Sequence, residues 1–342
     1  MELTTVWFVV LAFLWTGYFF LEGFDFGVGA LLPVLGRDDT ERRVLINTIG
    51  PVWDGNEVWV VTAVGATFAA FPEWYATLLS AFYLPMLLIL VALIVRALAF
   101  EYRGKRTDPV WQRRWDRGIV FGSVVPAFTW GFVFGNLLAG VPIGPDHEFT
   151  GSLTGLFTLA GLLGGLTTLA LFVLHGAVFI ALKTHGEIRI RARALAGRTL
   201  LSALGVTAVG LLAAQLGRGD AVTGITAAGA IGALLAAAAA NARGREGWAF
   251  LGTGAAIVLA TATLFALLFP AVAPSSLAAA NDLTTVNAAA TPYTLTIMSW
   301  VALAFTPLVL VYQSWTYWVF RKRIGVRDIP PSAGAALARA AR

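Results

Sequence analysis

Long apolar runs alternate with short polar ones along almost the whole chain. A helix that crosses the hydrocarbon core of a bilayer needs about 20 mostly apolar residues. Nine segments meet or approach that length: roughly 4–34, 50–70, 75–99, 118–140, 154–182, 199–216, 221–240, 248–269 and 293–320. The first and last are long enough to tilt or protrude. The pattern predicts an all-α integral membrane protein of about nine transmembrane helices. It forms one polytopic domain over 1–342, with sub-bundles at about 1–140 and 154–269, a final helix at about 293–320 and a basic tail at 321–342.

The polar runs orient it. Lys and Arg number three in 36–47, six in 101–117, five in 183–198, two in 241–247 and six from 321 onward, which is 22 of the 24 in the chain. These are alternate connections, so they share one side. The positive-inside rule makes that side cytoplasmic, with the N-terminus outside. The opening "MELTTVWFVVLAFLW" lacks the basic start and small-residue cleavage site of a signal peptide and reads as a retained span.

Composition narrows the chemistry. Charged residues make up 13% of the 342, against about 25% in a soluble domain. The net charge of +5 follows from the cytoplasmic loops and does not imply a nucleic-acid partner. No cysteine is present, which excludes disulfides, thiolate metal sites and iron–sulfur ligation. Three His and three Met cannot ligate several haems. P-loop, GxSxG, HExxH and dinucleotide motifs are missing, and no metal site is expected. "GFDFG" at 23–27 and "GLLGG" at 161–165 fit GxxxG, which permits close helix approach.

Four acids lie inside predicted spans: Glu22, Asp25, Asp54 and Glu57. Each costs about 2.5–3.5 kcal/mol at the bilayer centre, and less near an interface. Arg96 and Glu101 close the third span, so all six groups fall in the cytoplasmic half. Glu22/Asp25 and Asp54/Glu57 are spaced i, i+3, and each pair shares a helix face. Three readings stand. In a structural one, Arg96 neutralises an acid while others serve helix starts, with Pro51 suited to such a start. In the second, the carboxylates relay protons taken up from the cytoplasm. In the third, they coordinate a cation in a proton- or cation-coupled secondary transporter with a broken helix at "GFDFGVG". All the intramembrane acids lie in the first two spans and none in 199–269, an asymmetry unlike the paired interrupted helices of inverted repeats. His175, the one histidine within a span, is either a hydrogen-bonded packing residue or a single haem ligand.

"GYFFLEGFDFGVGALLP" at 17–33, "NTIGPVWDGNEVWVV" at 47–61 and "RALAFEYR" at 96–103 resemble subunit II of the cytochrome bd-type quinol oxidases. The motifs cover the first 140 residues; beyond about 195 the resemblance rests on topology alone. It implies two four-helix bundles plus one extra helix. It also implies a haem-bearing subunit I as partner, holding haem b and haem d and the quinol-oxidising loop. No haem is expected in this subunit. The complex would oxidise quinol and reduce oxygen to water in the bacterial cytoplasmic membrane. Small single-span accessory subunits, and a structural quinone or lipid in this chain, are left open. Residue by residue, Asp54 matches an acid proposed to line a proton path at the subunit interface, and Asp25 matches the first-span acid. Glu101 and Glu22 stand where the family often has Asp, which keeps a carboxylate but changes its reach. Glu57 extends the set, and Arg96 looks like its charge partner.

Overall fold

The computed structural model describes residues 2–330, so the end of the predicted basic tail, 331–342, lies outside the described residues. Eleven α-helices follow one another: α1 (Leu3–Leu35), α2 (Asp39–Ile49), α3 (Trp53–Ala70), α4 (Pro72–Ala81), α5 (Tyr83–Arg103), α6 (Pro109–Ala139), α7 (Leu159–Lys183), α8 (Glu187–Arg218), α9 (Ala221–Ala242), α10 (Glu246–Leu267) and α11 (Pro292–Val319). Among the described residues eight, α1 and α5–α11, are long and apolar enough to span a membrane.

The ninth predicted span, 50–70, is shorter. It begins at Trp53, and the 18-residue α3 is not among the eight. Asp54, Asn56 and Glu57 in its first turns dilute its apolar character, and at 1.5 Å per residue it is about 27 Å long. The predicted span 75–99 is divided into α4 and α5 at Phe82. Pro85 has no N–H to give the carbonyl of Ala81 and clashes with it, which ends one helix and starts another. The predicted loop at 36–47 contains a helix. Asp38 caps α2 through the Glu41 amide (2.8 Å), acids fill its first turn, and Val44, Leu45 and Ile49 turn inward.

Side-chain caps start several further helices. Asp108 accepts from the amides of Val110 and Trp111 ahead of Pro109 at the first position of α6. Asp220 and Thr223 form a reciprocal cap on α9, and Thr291 precedes Pro292 on α11. α1 runs through the middle of the bundle and packs on α3, α6, α7 and α10. Glycine sets two of the crossings. A Cβ on Gly27 would lie 2.7 Å from the Gly176 Cα, so α1 and α7 meet backbone to backbone. A Cβ on Gly131 would lie 2.6 Å from the Gly164 carbonyl carbon, where α6 meets α7.

The two ends of the bundle are finished differently. Opposite the basic loops, residues 140–150 and 270–285 are stitched by single bridges, Val141 to Ser275 and Ala273 to Leu283. There the Ile143 carbonyl accepts from both Ser275 Oγ (2.8 Å) and Asn281 Nδ2 (3.0 Å). The basic end is tied by ion pairs. Arg103 bridges Asp116 (2.5 Å) and Asp39 (2.9 Å), Arg42 joins Asp116 (2.9 Å), and Arg191 reaches Glu41 (2.6 Å). The segment after α11 folds back on this end. Ile324 bridges Thr184, His185 Nε2 meets Asp328 Oδ2 at 2.9 Å, and Arg43 donates to the Pro330 carbonyl at 2.8 Å.

Candidate functional site

The site is built around the second half of α1. Glu22 and Asp25 are both 0% exposed. Their i, i+3 spacing places them on one face, toward α3 and α5. From α5, Arg96, also 0% exposed, donates to Glu22 Oε1 and forms a fully buried ion pair with it. Arg96 is held between two rings, with its guanidinium carbon 4.8 Å from the centroid of Phe26 and 5.4 Å from that of Phe100. Such cation–π contacts gain strength where water is excluded. A close crossing with α6 brings Arg96 in: a Cβ on Gly122 would lie 2.5 Å from the Ala92 carbonyl oxygen.

Asp25 is held from the other side. Asn56 Nδ2 on α3 donates to Asp25 Oδ2 at 2.6 Å. The Asn56 carbonyl in turn accepts from the Tyr317 hydroxyl (2.7 Å) and from Gln313 Nε2 (3.2 Å), both on α11. Trp59 Nε1 donates to Gln313 Oε1 at 2.8 Å. Tyr317 also walls a cavity of about 340 Å³ at the basic end, beneath the returning tail, with Lys183 and Asp328 in its lining. Hydrogen-bonded groups therefore lead from that cavity to Asp25. Among the described residues Glu22 Oε2, Asp25 Oδ1, Glu57 Oε2 and two Arg96 nitrogens have no hydrogen-bond partner. Buried polar atoms without partners are costly, and each calls for an explanation.

The six charged residues singled out in the sequence do not all meet. Glu22, Asp25 and Arg96 form the buried centre. Glu57, half-buried, lies within charge range of Glu22 and Arg96. Asp54 and Glu101 are exposed. Asp54 shares its face of α3 with the exposed Val58, Val61 and Phe68, and Glu101 shares its face of α5 with exposed Leu98, Ile94 and Leu90. Asn56, Gln313 and Tyr317 were not foreseen. The "WDGNEVW" segment drew attention to its acids, whereas its neutral amide is the residue that reaches Asp25.

An axial haem ligand needs a ring nitrogen facing open volume. His175 is 0% exposed, stacks on Phe250 at 4.5 Å with the planes 11° apart, and shares a 2.7 Å hydrogen bond between Nδ1 and Thr253 Oγ1. His147 pairs with Glu73 and His185 with Asp328. Each of these pairings engages one ring nitrogen, and His175 Nε2 is enclosed without a partner. Among the described residues no group of three His, Cys, Asp or Glu could hold a metal ion.

Long apolar helices around a buried Arg–carboxylate centre define a multi-pass membrane protein with a charged site inside the bundle. Comparison with known proteins gives the family. The profile described as cytochrome bd terminal oxidase subunit II matches residues 3–320. The chain is 43% identical over 337 residues to a Bacillus subtilis protein named cytochrome bd ubiquinol oxidase subunit 2, covering 96% of this chain and 98% of that one. It is 34% identical to the Escherichia coli K12 cytochrome bd-I ubiquinol oxidase subunit 2, covering 95% and 96%. In fold it is similar to a chain from the structure of bd oxidase from Geobacillus thermodenitrificans, with a TM-score of 0.78 and 16% identity over 94% of this chain and 100% of that one. The chain belongs to the cytochrome bd terminal oxidase subunit II family. Its named relatives are subunits of an oxidoreductase complex.

Proposed function

We propose that this chain is the haem-free subunit of a quinol:oxygen oxidoreductase in the bacterial cytoplasmic membrane. It seats a haem-bearing subunit I and admits protons for the reduction of oxygen to water. α3 would be the ninth crossing, with the N-terminus outside and the basic end cytoplasmic. Haem b and haem d are assigned to subunit I, a reading supported by the enclosure of His175, 0% exposed and stacked on Phe250. Quinol and oxygen are then substrates of the complex, and small accessory subunits are compatible with the exposed surface of this chain.

The observation that carries the proton reading is the Asp25 environment. A carboxylate 0% exposed keeps one oxygen unpartnered and the other bound to Asn56, which is itself bound to Tyr317 at the wall of a basic-end cavity. A purely structural acid would be expected to have both oxygens satisfied. Arg96 compensates Glu22 and so allows further carboxylates nearby. The partner reading is supported by Asp54 and Glu101. Each ends an exposed apolar stripe, and a charge placed against lipid is expensive. A protein surface over those stripes would cover the apolar residues and give the acids polar neighbours. α11 adds to the same argument, with Leu295 its one fully buried side chain. Nothing found favours the transporter reading.

The test is Asp25→Asn beside Asp54→Asn in the assembled complex. Haem spectra report assembly, and quinol-dependent oxygen uptake reports turnover. Asp25→Asn is expected to assemble and to lose about 10²-fold in turnover, the usual scale for a lost proton-transfer group. Normal uptake by both variants across pH would end the proton reading. Loss of haem signals on mutation of Asp54 would assign that residue to seating the partner.

A further inference from the structure

We propose that the groove between α8 and α9 at the basic end binds the headgroup of one anionic phospholipid. α8 packs mainly on α7, and α9 mainly on α10. A cavity of about 700 Å³ lies between α8 and α9, reaching along α8 from Gly186 to Leu200. At 1.5 Å per residue that stretch is about 21 Å long. It starts among arginines and ends in apolar surface, as an amphiphile would require.

Two features fix the headgroup chemistry. Arg193 stands in the groove wall and is clamped to the end of α9, with Nε donating to the Asn241 carbonyl (3.0 Å) and Nη2 to the Ala242 carbonyl (3.1 Å). These acceptors are neutral, so no carboxylate cancels its charge. Arg189 lines the same groove, and its partner Glu246 is shared with Arg323. The groove therefore carries net positive charge at the level where a phosphate would lie, and basic pockets between membrane helices suit anionic headgroups.

Asn241, 8% exposed, braces this wall: its Nδ2 donates to the Arg193 carbonyl at 3.2 Å and its Oδ1 is enclosed. Phosphatidylcholine brings no net charge and serves as the control. The acyl chains would leave past Leu200 onto the exposed Leu201 and Leu235. The site is independent of the redox reading.

Gly197 offers a clean way to fill the groove, since a Cβ there meets only Asn241 Nδ2, at 3.6 Å. The purified complex, stripped of lipid in mild detergent, would be titrated separately with phosphatidylglycerol, phosphatidic acid, phosphatidylcholine and inorganic phosphate. Native mass spectrometry counts retained lipid, and thermal unfolding reports protection. One phosphatidylglycerol retained per chain is expected, with Gly197→Leu weakening it about tenfold or more. Arg193→Leu should weaken phosphatidylglycerol and phosphatidic acid alike. Unchanged retention in Gly197→Leu would overturn the proposal. Equal binding of phosphatidylcholine, or equal protection by phosphate alone, would do so as well.

Discussion

The α1–α3–α5 region and the α8–α9–α10 region are both packed helical bundles, yet they bury different things. The first encloses Glu22, Asp25, Asn56 and Arg96. Within its spans the second encloses hydroxyls, including Thr207, Thr253, Thr261 and Thr263, among alanines. Most of those hydroxyls bond a carbonyl of their own helix: Thr253 to Phe250, Thr261 to Ile257, Thr263 to Leu259. The middles of these helices therefore pack without ionised groups, the buried Glu246 lying at the first residue of α10 beside Arg189, and a chain that keeps an arginine and two carboxylates deep within its first region bears a cost that the interior of the second avoids. Replacing a buried ion pair by apolar residues is often neutral or stabilising, so the pair is weak evidence of stability and stronger evidence of use.

The contrast can be broken in graded steps. Arg96→Leu leaves Glu22 and Asp25 buried together without their cation and should cost about 3–5 kcal/mol; loss of the folded, haem-bearing complex on purification is the expected readout. The double variant Arg96→Leu with Glu22→Leu should recover much of that loss, and no recovery would mean that Arg96 serves mainly Asp25. In the other region, Thr253→Val removes the hydroxyl on His175 Nδ1. It should cost about 1–3 kcal/mol, seen as a lower melting temperature with turnover per haem unchanged. Tyr317→Phe deletes one hydrogen bond to Asn56 and should cost about 1 kcal/mol. A turnover loss larger than its stability loss would tie the α11 side of the site to function.

The smallest effect concerns the returning tail. The His185 ring and the Gly325 amide beside Asp328 hold its carboxyl below the usual aspartate range. Because the folded value is depressed, its contribution to docking is complete above about pH 4, the ordinary aspartate value, and is lost as pH falls through the depressed one. Protection of the amides of residues 321–330, taken relative to their intrinsic exchange rate at each pH, should fall on that acid side. Protection unchanged there would locate the latch elsewhere.

Most of the helices were legible because membrane spans are written in apolar length, and the eight long ones start and stop within about one to a dozen residues of the apolar runs. The largest offset is α8, which begins at Glu187 where the apolar run begins at 199, because its first turns carry the arginines that pair with Glu41 and Glu246. α2 was hidden because only a few of its positions are apolar, and alternating charges over so short a stretch look like a loop. Pro85 was visible, but the hydrophobicity around it outweighed its effect in a reading by composition. In the site, all the acids carry the same signature, so Asp54 and Glu101 on the exposed faces could not be told from Glu22 and Asp25 in the core. Asn56 has no charge to mark it. Gln313 and Tyr317 join the site from more than 250 residues away, a contact that no local spacing encodes.

That separation has a consequence for synthesis. Asp25 emerges from the ribosome in the first helix and Asn56 soon afterwards, but the groups that complete their hydrogen bonds are carried by the last helix. A nascent chain that has delivered ten helices still holds an amide awaiting Gln313 and Tyr317. α11 itself buries little and touches few neighbours, so those side chains are much of what the chain offers to hold it. The last helix to arrive closes a circuit opened by the first, and a chain cut short before it would present its unfinished polar centre to whatever inspects new membrane proteins.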